Sequence, residues 1–101
     1  MKHISILALE DATMTSIDSS QQLLNRVNDF LKYQKKAAFY TVEIVGAEKS
    51  IILNHGLYSI SVNRTIDEVK KTDVIIIPLL CGDFPKAIQA NKKYCNWVIS
   101  Q

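Results

Sequence analysis

The sequence predicts an α/β fold, a three-layer sandwich built on a mostly parallel sheet. Two nearly continuous apolar runs, "HISILAL" (residues 3–9) and "VIIIP" (residues 74–78), suit strands that are buried on both faces. A third run, "FYTVEIVGA" (residues 39–47), is separated from the first by a segment with helical periodicity. A strand, a helix and a second strand in this order predict a parallel pair joined by a right-handed crossover.

The first helix is predicted within "IDSSQQLLNRVNDFLKYQKK", residues 17–36. Its apolar residues recur at intervals of three and four, which is the pattern of one helix face: Leu23, Leu24, Val27, Phe30 and Leu31. Asp18 and the two serines after it are the residue types that cap a helix N-terminus. Lysines near the other end suit the helix dipole.

Between the second and third long strands, two short β-rich runs flank "NHG" (residues 54–56) and predict an inserted hairpin. Thr65 and Glu68 form a capping-box pattern that predicts two helical turns within residues 65–73. Residues 82–101 predict one last helix with Pro85 in its first turn and a single inner face: Phe84, Ile88, Asn91, Cys95 and Val98.

The three long strands are expected in the spatial order 2-1-3, which leaves residues 74–77 at an edge of the sheet. An apolar, uninterrupted edge strand offers unpaired backbone groups to other chains, and natural edges are usually short or charged. We therefore expect these residues to pair with a strand outside residues 1–101, which makes the chain a piece of something larger.

Composition narrows the function classes. Twelve basic and ten acidic residues give a net charge of +2, so the chain has no basic excess of the kind that DNA-binding modules show. Cys81 and Cys95 form no metal-ligand pattern, and no metal or cofactor is expected. The N-terminus looks like a strand and not a signal peptide, and no apolar run could span a membrane. Cytoplasmic location is the expectation.

Over its whole length the chain resembles the first half of a ThiJ/PfpI-type domain, of the class I glutamine amidotransferase-like superfamily, in the version found at the N-terminus of AraC-type transcriptional regulators. The segments that carry the resemblance are "ISILALEDATMTSIDSSQQLLNRVNDFL", "YTVEIVGAEKSIILNHGLYSISVNRTIDEVKKTDVIIIP" and "GDF". The resemblance implies a flavodoxin-like fold. It also implies a second half that begins with a strand ending in a cysteine elbow, followed by a helix-turn-helix domain downstream.

Two functions follow from this resemblance. In the first, the chain is the sensing and dimerising part of a regulator, which binds a small-molecule effector, forms a homodimer and binds DNA through the downstream domain. In the second, it is part of a cysteine-dependent hydrolase, amidase or glyoxalase-type enzyme. The enzymes carry a Gly-Gly pair after the third strand, whereas Leu79 and Leu80 stand here. Cys81 does not match the nucleophile, and no catalytic residue is assigned.

Some candidate ligand-binding residues lie after the first and third strands, since open α/β sheets bind ligands at the carboxyl ends of their strands. The resemblance adds Asp18, because enzymes of the family place a carboxylate near the start of the first long helix, where it can bond to the nucleophilic cysteine. The candidates are Glu10, Asp11, Asp18, Leu80, Cys81 and Gly82. For each a simpler role is open. Glu10 and Asp11 could be solvated loop acids, Asp18 a helix cap, and Cys81 a small packed residue.

Overall fold

A computed structural model of the chain describes residues 1–80 and 84–101. Cys81, Gly82 and Asp83 therefore lie outside the described residues, and so do the expectations placed on them. The elements in chain order are β1 (Lys2–Leu7), α1 (Met14–Tyr33), β2 (Tyr40–Gly46), β3 (Ser50–Leu53), β4 (Tyr58–Ser61), β5 (Arg64–Thr65), β6 (Val74–Ile76), α2 (Phe84–Ala90) and α3 (Lys92–Ser100).

The main sheet confirms the predicted strand order. Its strands lie in the order β5-β2-β1-β6 and all of its pairs are parallel. Ile6 of β1 lies between Ile44 of β2 and Ile76 of β6. The central strand is buried from Ile4 to Leu7, because it has a strand on each side and apolar cover. The fold is thus flavodoxin-like, with the short strand β5 as an addition that the sequence did not predict.

Helix α1 begins earlier than predicted. Thr13 is its N-cap residue, so Asp18 lies in the second turn and the prediction that Asp18 caps the helix is wrong. The Asp18 carboxylate instead accepts a hydrogen bond from the Gln22 amide at 2.9 Å. The inner face is also displaced from the predicted stripe, since Ile17 is fully buried. Three residues of that predicted stripe are exposed: Leu23, Val27 and Phe30.

The predicted hairpin is confirmed as the antiparallel pair β3 and β4. Its turn has three consecutive residues with positive φ, at 54° for Asn54 and His55 and 89° for Gly56. Such angles suit Asn and Gly, which is why this stretch can reverse the chain tightly. The Asn54 side chain also accepts a hydrogen bond from the Met14 backbone N–H at 3.2 Å, which fixes the hairpin to the start of α1.

Residues 65–73 form a turn and not the predicted two helical turns. The capping-box contacts do exist, since the Glu68 carboxylate accepts hydrogen bonds from the Thr65 N–H at 2.9 Å and from its hydroxyl at 3.1 Å. Val69 is buried and its carbonyl accepts a hydrogen bond from the Trp97 indole at 3.0 Å. Packing against Trp97 therefore holds this connection in place.

The predicted last helix is two helices, α2 and α3, which meet at Asn91. The Asn91 side chain donates to the Ala87 carbonyl at 2.8 Å, a local bond that competes with the regular helix. The inner face is displaced from the predicted one, because Ile88 and Cys95 are exposed. Asn91 of the predicted face is buried, and the other buried residues of these helices are Ala87, Tyr94 and Trp97.

A polar network joins four segments at the amino end of the sheet. His3 Nε2 lies 2.5 Å from Glu43 Oε1, and His3 Nδ1 lies 2.7 Å from the Thr72 hydroxyl. The Arg64 guanidinium donates to both oxygens of Glu43. The hydrogen bonds from Arg64 hold the pKa of the Glu43 carboxyl below its usual value. Partial burial of the carboxyl opposes this lowering, and the bond to His3 adds to it. His3 is thus part of a structural cluster.

No helix within residues 1–80 and 84–101 is long and apolar enough to cross a membrane.

Candidate ligand-binding site

The chain turns sharply after β1. Ala8 and Leu9 continue the buried path of the strand, and Glu10 and Asp11 emerge at the carboxyl end of the sheet. Asp11 has φ of 64°, in the left-handed region that Asp enters more readily than most non-glycine residues. This turn sends the chain back towards α1 and leaves both acidic residues exposed.

Asn91 fixes the position of Glu10 from the junction of α2 and α3. Its side-chain oxygen accepts a hydrogen bond from the Glu10 N–H at 2.8 Å, and its amide donates to the Glu10 carbonyl at 3.0 Å. Asn91 is buried, so water does not compete for these bonds. The backbone that carries the Glu10 carboxylate is therefore held in one position.

Tyr94 joins the carboxyl ends of β1 and β2. Its hydroxyl donates to the Ala8 carbonyl at 2.9 Å and accepts from the Ala47 N–H at 2.7 Å. Burial raises the pKa of the Tyr94 phenol, the bond to Ala47 offsets part of that rise, and the carboxylates of Glu10 and Glu48 raise the pKa further. The phenol thus remains a hydrogen-bond donor, and both acidic residues act on it electrostatically.

These contacts frame a polar cleft of about 330 Å³ between the strand ends, the hairpin and α3. The charged side chains that line it are Glu10, Asp11, Glu48 and Lys93. The size lies at the lower end of the range for small-molecule sites. Three carboxylates and one amine can bind a polar or charged small molecule through ionic hydrogen bonds.

The turn after β6 is bound to the start of α1. The Thr13 N–H donates to the Leu79 carbonyl at 2.9 Å, and the Leu79 N–H donates to the Ser16 hydroxyl at 3.1 Å. Ala12 and Leu80 form an isolated antiparallel bridge. The Leu79 amide is therefore engaged with a side chain of the protein, and is not directed at open space as an oxyanion donor needs to be.

The candidate residues do not all lie in one place. Glu10 and Asp11 line the polar cleft, and Leu80 lines a separate apolar groove. Asp18 lines neither of them. Cys81 and Gly82 are outside the described residues. No group of three His, Cys, Asp or Glu side chains in the described part of the chain is placed to hold a metal ion.

The apolar groove lies between β1, the segment after β6, and the two last helices. Its volume is about 320 Å³. The side chains along its outer side include Ile77, Ile88 and Ile99, all of them exposed. The groove therefore has an open apolar wall next to β6.

Sequence analysis missed Asn91 and Tyr94, although both position the polar cleft. The available signal was two hydrogen-bonding residues three positions apart on an otherwise apolar helix face. Such residues are buried only when they have partners, so this pattern indicates a polar contact beneath the helix. Ser16 was missed as well, since its partner lies 63 positions away in sequence.

The chain has the α/β fold of ThiJ/PfpI-like proteins. The features that define this fold are the parallel sheet, its strand order, the inserted hairpin and the turn bound to α1. Comparison with solved structures agrees. A proposed transcriptional regulator from Vibrio parahaemolyticus matches over 98% of this chain with a TM-score of 0.75 and 19% identity. Toxoplasma gondii DJ-1 in its oxidised form matches over 99% with a TM-score of 0.69 and 14% identity.

The chain spans 50% of the length of each of these two structures. Neither a protein-family model nor a curated protein matches the sequence. At these levels of identity the comparison establishes the fold.

Proposed function

We propose that residues 1–101 are the N-terminal part of the sensing and dimerising domain of an AraC-type transcriptional regulator. The observation that carries the proposal is the likeness of nearly the whole chain to the Vibrio parahaemolyticus regulator. In this proposal a helix-turn-helix domain lies downstream and binds DNA, the protein acts in the cytoplasm as a homodimer, and a small-molecule effector binds at the carboxyl end of the sheet.

The polar cleft supports the sensing role. Glu10 and Asp11 stand at the end of the central strand and face Lys93 of α3 and Glu48 after β2. A ligand in this cleft contacts both the sheet and the last helix. It can bias a DNA-binding domain only if it binds one arrangement of these elements more tightly than another.

The turn after β6 supports a non-catalytic role. Leu79 and Leu80 occupy the places where the enzymes of the family carry a Gly-Gly pair, and the Leu79 N–H is bonded to Ser16. An oxyanion donor must be preorganised towards the reacting oxygen, so an amide that is already bonded contributes little.

A second candidate function is a cysteine-dependent hydrolase, amidase or glyoxalase-type enzyme. The observation that favours it is the likeness to DJ-1 from Toxoplasma gondii. In this case the nucleophile is the elbow cysteine of the second half, beyond residue 101.

DNA binding by the full-length protein tests the first proposal. We expect the full-length protein to shift a labelled fragment of its own upstream region, in competition with unrelated DNA of equal length at fixed salt. The 101-residue chain is the control and should not shift it, since its net charge of +2 provides no basic surface excess. A full-length protein that binds no DNA would contradict the regulator.

The enzyme alternative makes a different prediction. Replacing the elbow cysteine of the full-length protein by alanine should abolish turnover of amide or aldehyde substrates while the circular dichroism spectrum is retained. A DNA-binding protein whose alanine variant keeps all of its regulatory response supports the regulator and not the enzyme.

A further inference from the structure

We draw no further inference here: the strongest candidate, the polar cleft between the carboxyl ends of β1 and β2, the hairpin and α3, belongs to the ligand-binding site already described, and nothing in residues 1–80 and 84–101 indicates which ligand its carboxylates bind.

Discussion

Replacement of Tyr94 by phenylalanine tests whether the polar cleft depends on the phenol that joins β1 and β2. The side chain is 5% exposed, and its hydroxyl is bonded to the Ala8 carbonyl and to the Ala47 N–H. Phenylalanine keeps the ring and removes only these two bonds. The measured change in the free energy of unfolding therefore reports the hydroxyl and not the packing.

The expected loss follows from the two groups that remain without a partner. A buried donor or acceptor that loses its bond costs about 1–3 kcal/mol. Ala8 is fully buried, so its carbonyl carries the full cost, whereas Ala47 is partly exposed and water can reach it. We expect Tyr94→Phe to lower the free energy of unfolding by about 2–4 kcal/mol, a large share of the stability of an ordinary domain.

Urea unfolding of the full-length protein, followed by circular dichroism, measures this loss. Tyr33→Phe is the matched control, because Tyr33 is 88% exposed and removal of its hydroxyl should leave the stability unchanged. If Tyr94→Phe and Tyr33→Phe unfold at the same urea concentration, the hydroxyl does not join the strands as described and the account of the cleft is wrong.

Three further substitutions test other parts of the structure. Asn91→Ala should cost about 2–4 kcal/mol of stability, because it removes both bonds to the Glu10 backbone. Asn96→Ala, on the exposed side of α3, is the control and should cost nothing measurable. Equal unfolding curves for these two variants would contradict the contacts between Asn91 and Glu10. Gly46→Ala should cost about 1–3 kcal/mol, because the added Cβ would lie 2.8 Å from Val62 Cγ1 and 2.9 Å from the Glu48 carbonyl oxygen. Gly56→Ala is the comparison, since the added Cβ there meets nothing within 4 Å and only the positive φ opposes it. An unchanged stability of Gly46→Ala would refute the crowding at Gly46. Glu43→Gln should lower the stability above pH 4.5 and much less at lower pH. The reason is that a carboxyl with a lowered pKa stabilises the fold above its unfolded pKa and stops doing so as pH falls through its folded pKa. A stability difference between the two proteins that is the same at pH 3 and pH 7 would contradict this role of Glu43.

The strands and their order could be predicted because the information is local. Runs of β-branched residues such as Val74–Ile77 indicate buried strands by themselves, and the crossover rule then leaves few arrangements. The boundaries of the helices could not be predicted in the same way. The first turn of α1 lacks an apolar repeat and is fixed by Asn54 and Leu79, whose positions in space the sequence does not reveal.

The candidate site was predictable in part for the same reason. Glu10 and Asp11 follow a buried strand, so their place at the carboxyl end of the sheet is implied by the strand itself. Asn91 contacts Glu10 across 81 positions, and Tyr94 contacts Ala8 across 86, so the local pattern indicates a polar contact beneath the helix but not its partners. The cap role of Asp18 was assigned from its residue type near a predicted helix start, and it failed because the N-cap is Thr13, five residues earlier.

The network of His3, Glu43, Arg64 and Thr72 lies at the end of the sheet opposite to the polar cleft. These contacts join β1 to β2 through side chains that are not part of the cleft. None of these four residues lines the polar cleft. A substitution of Glu48 or Lys93 therefore changes the charge of the cleft and leaves the ionic contacts between Glu43 and Arg64 in place.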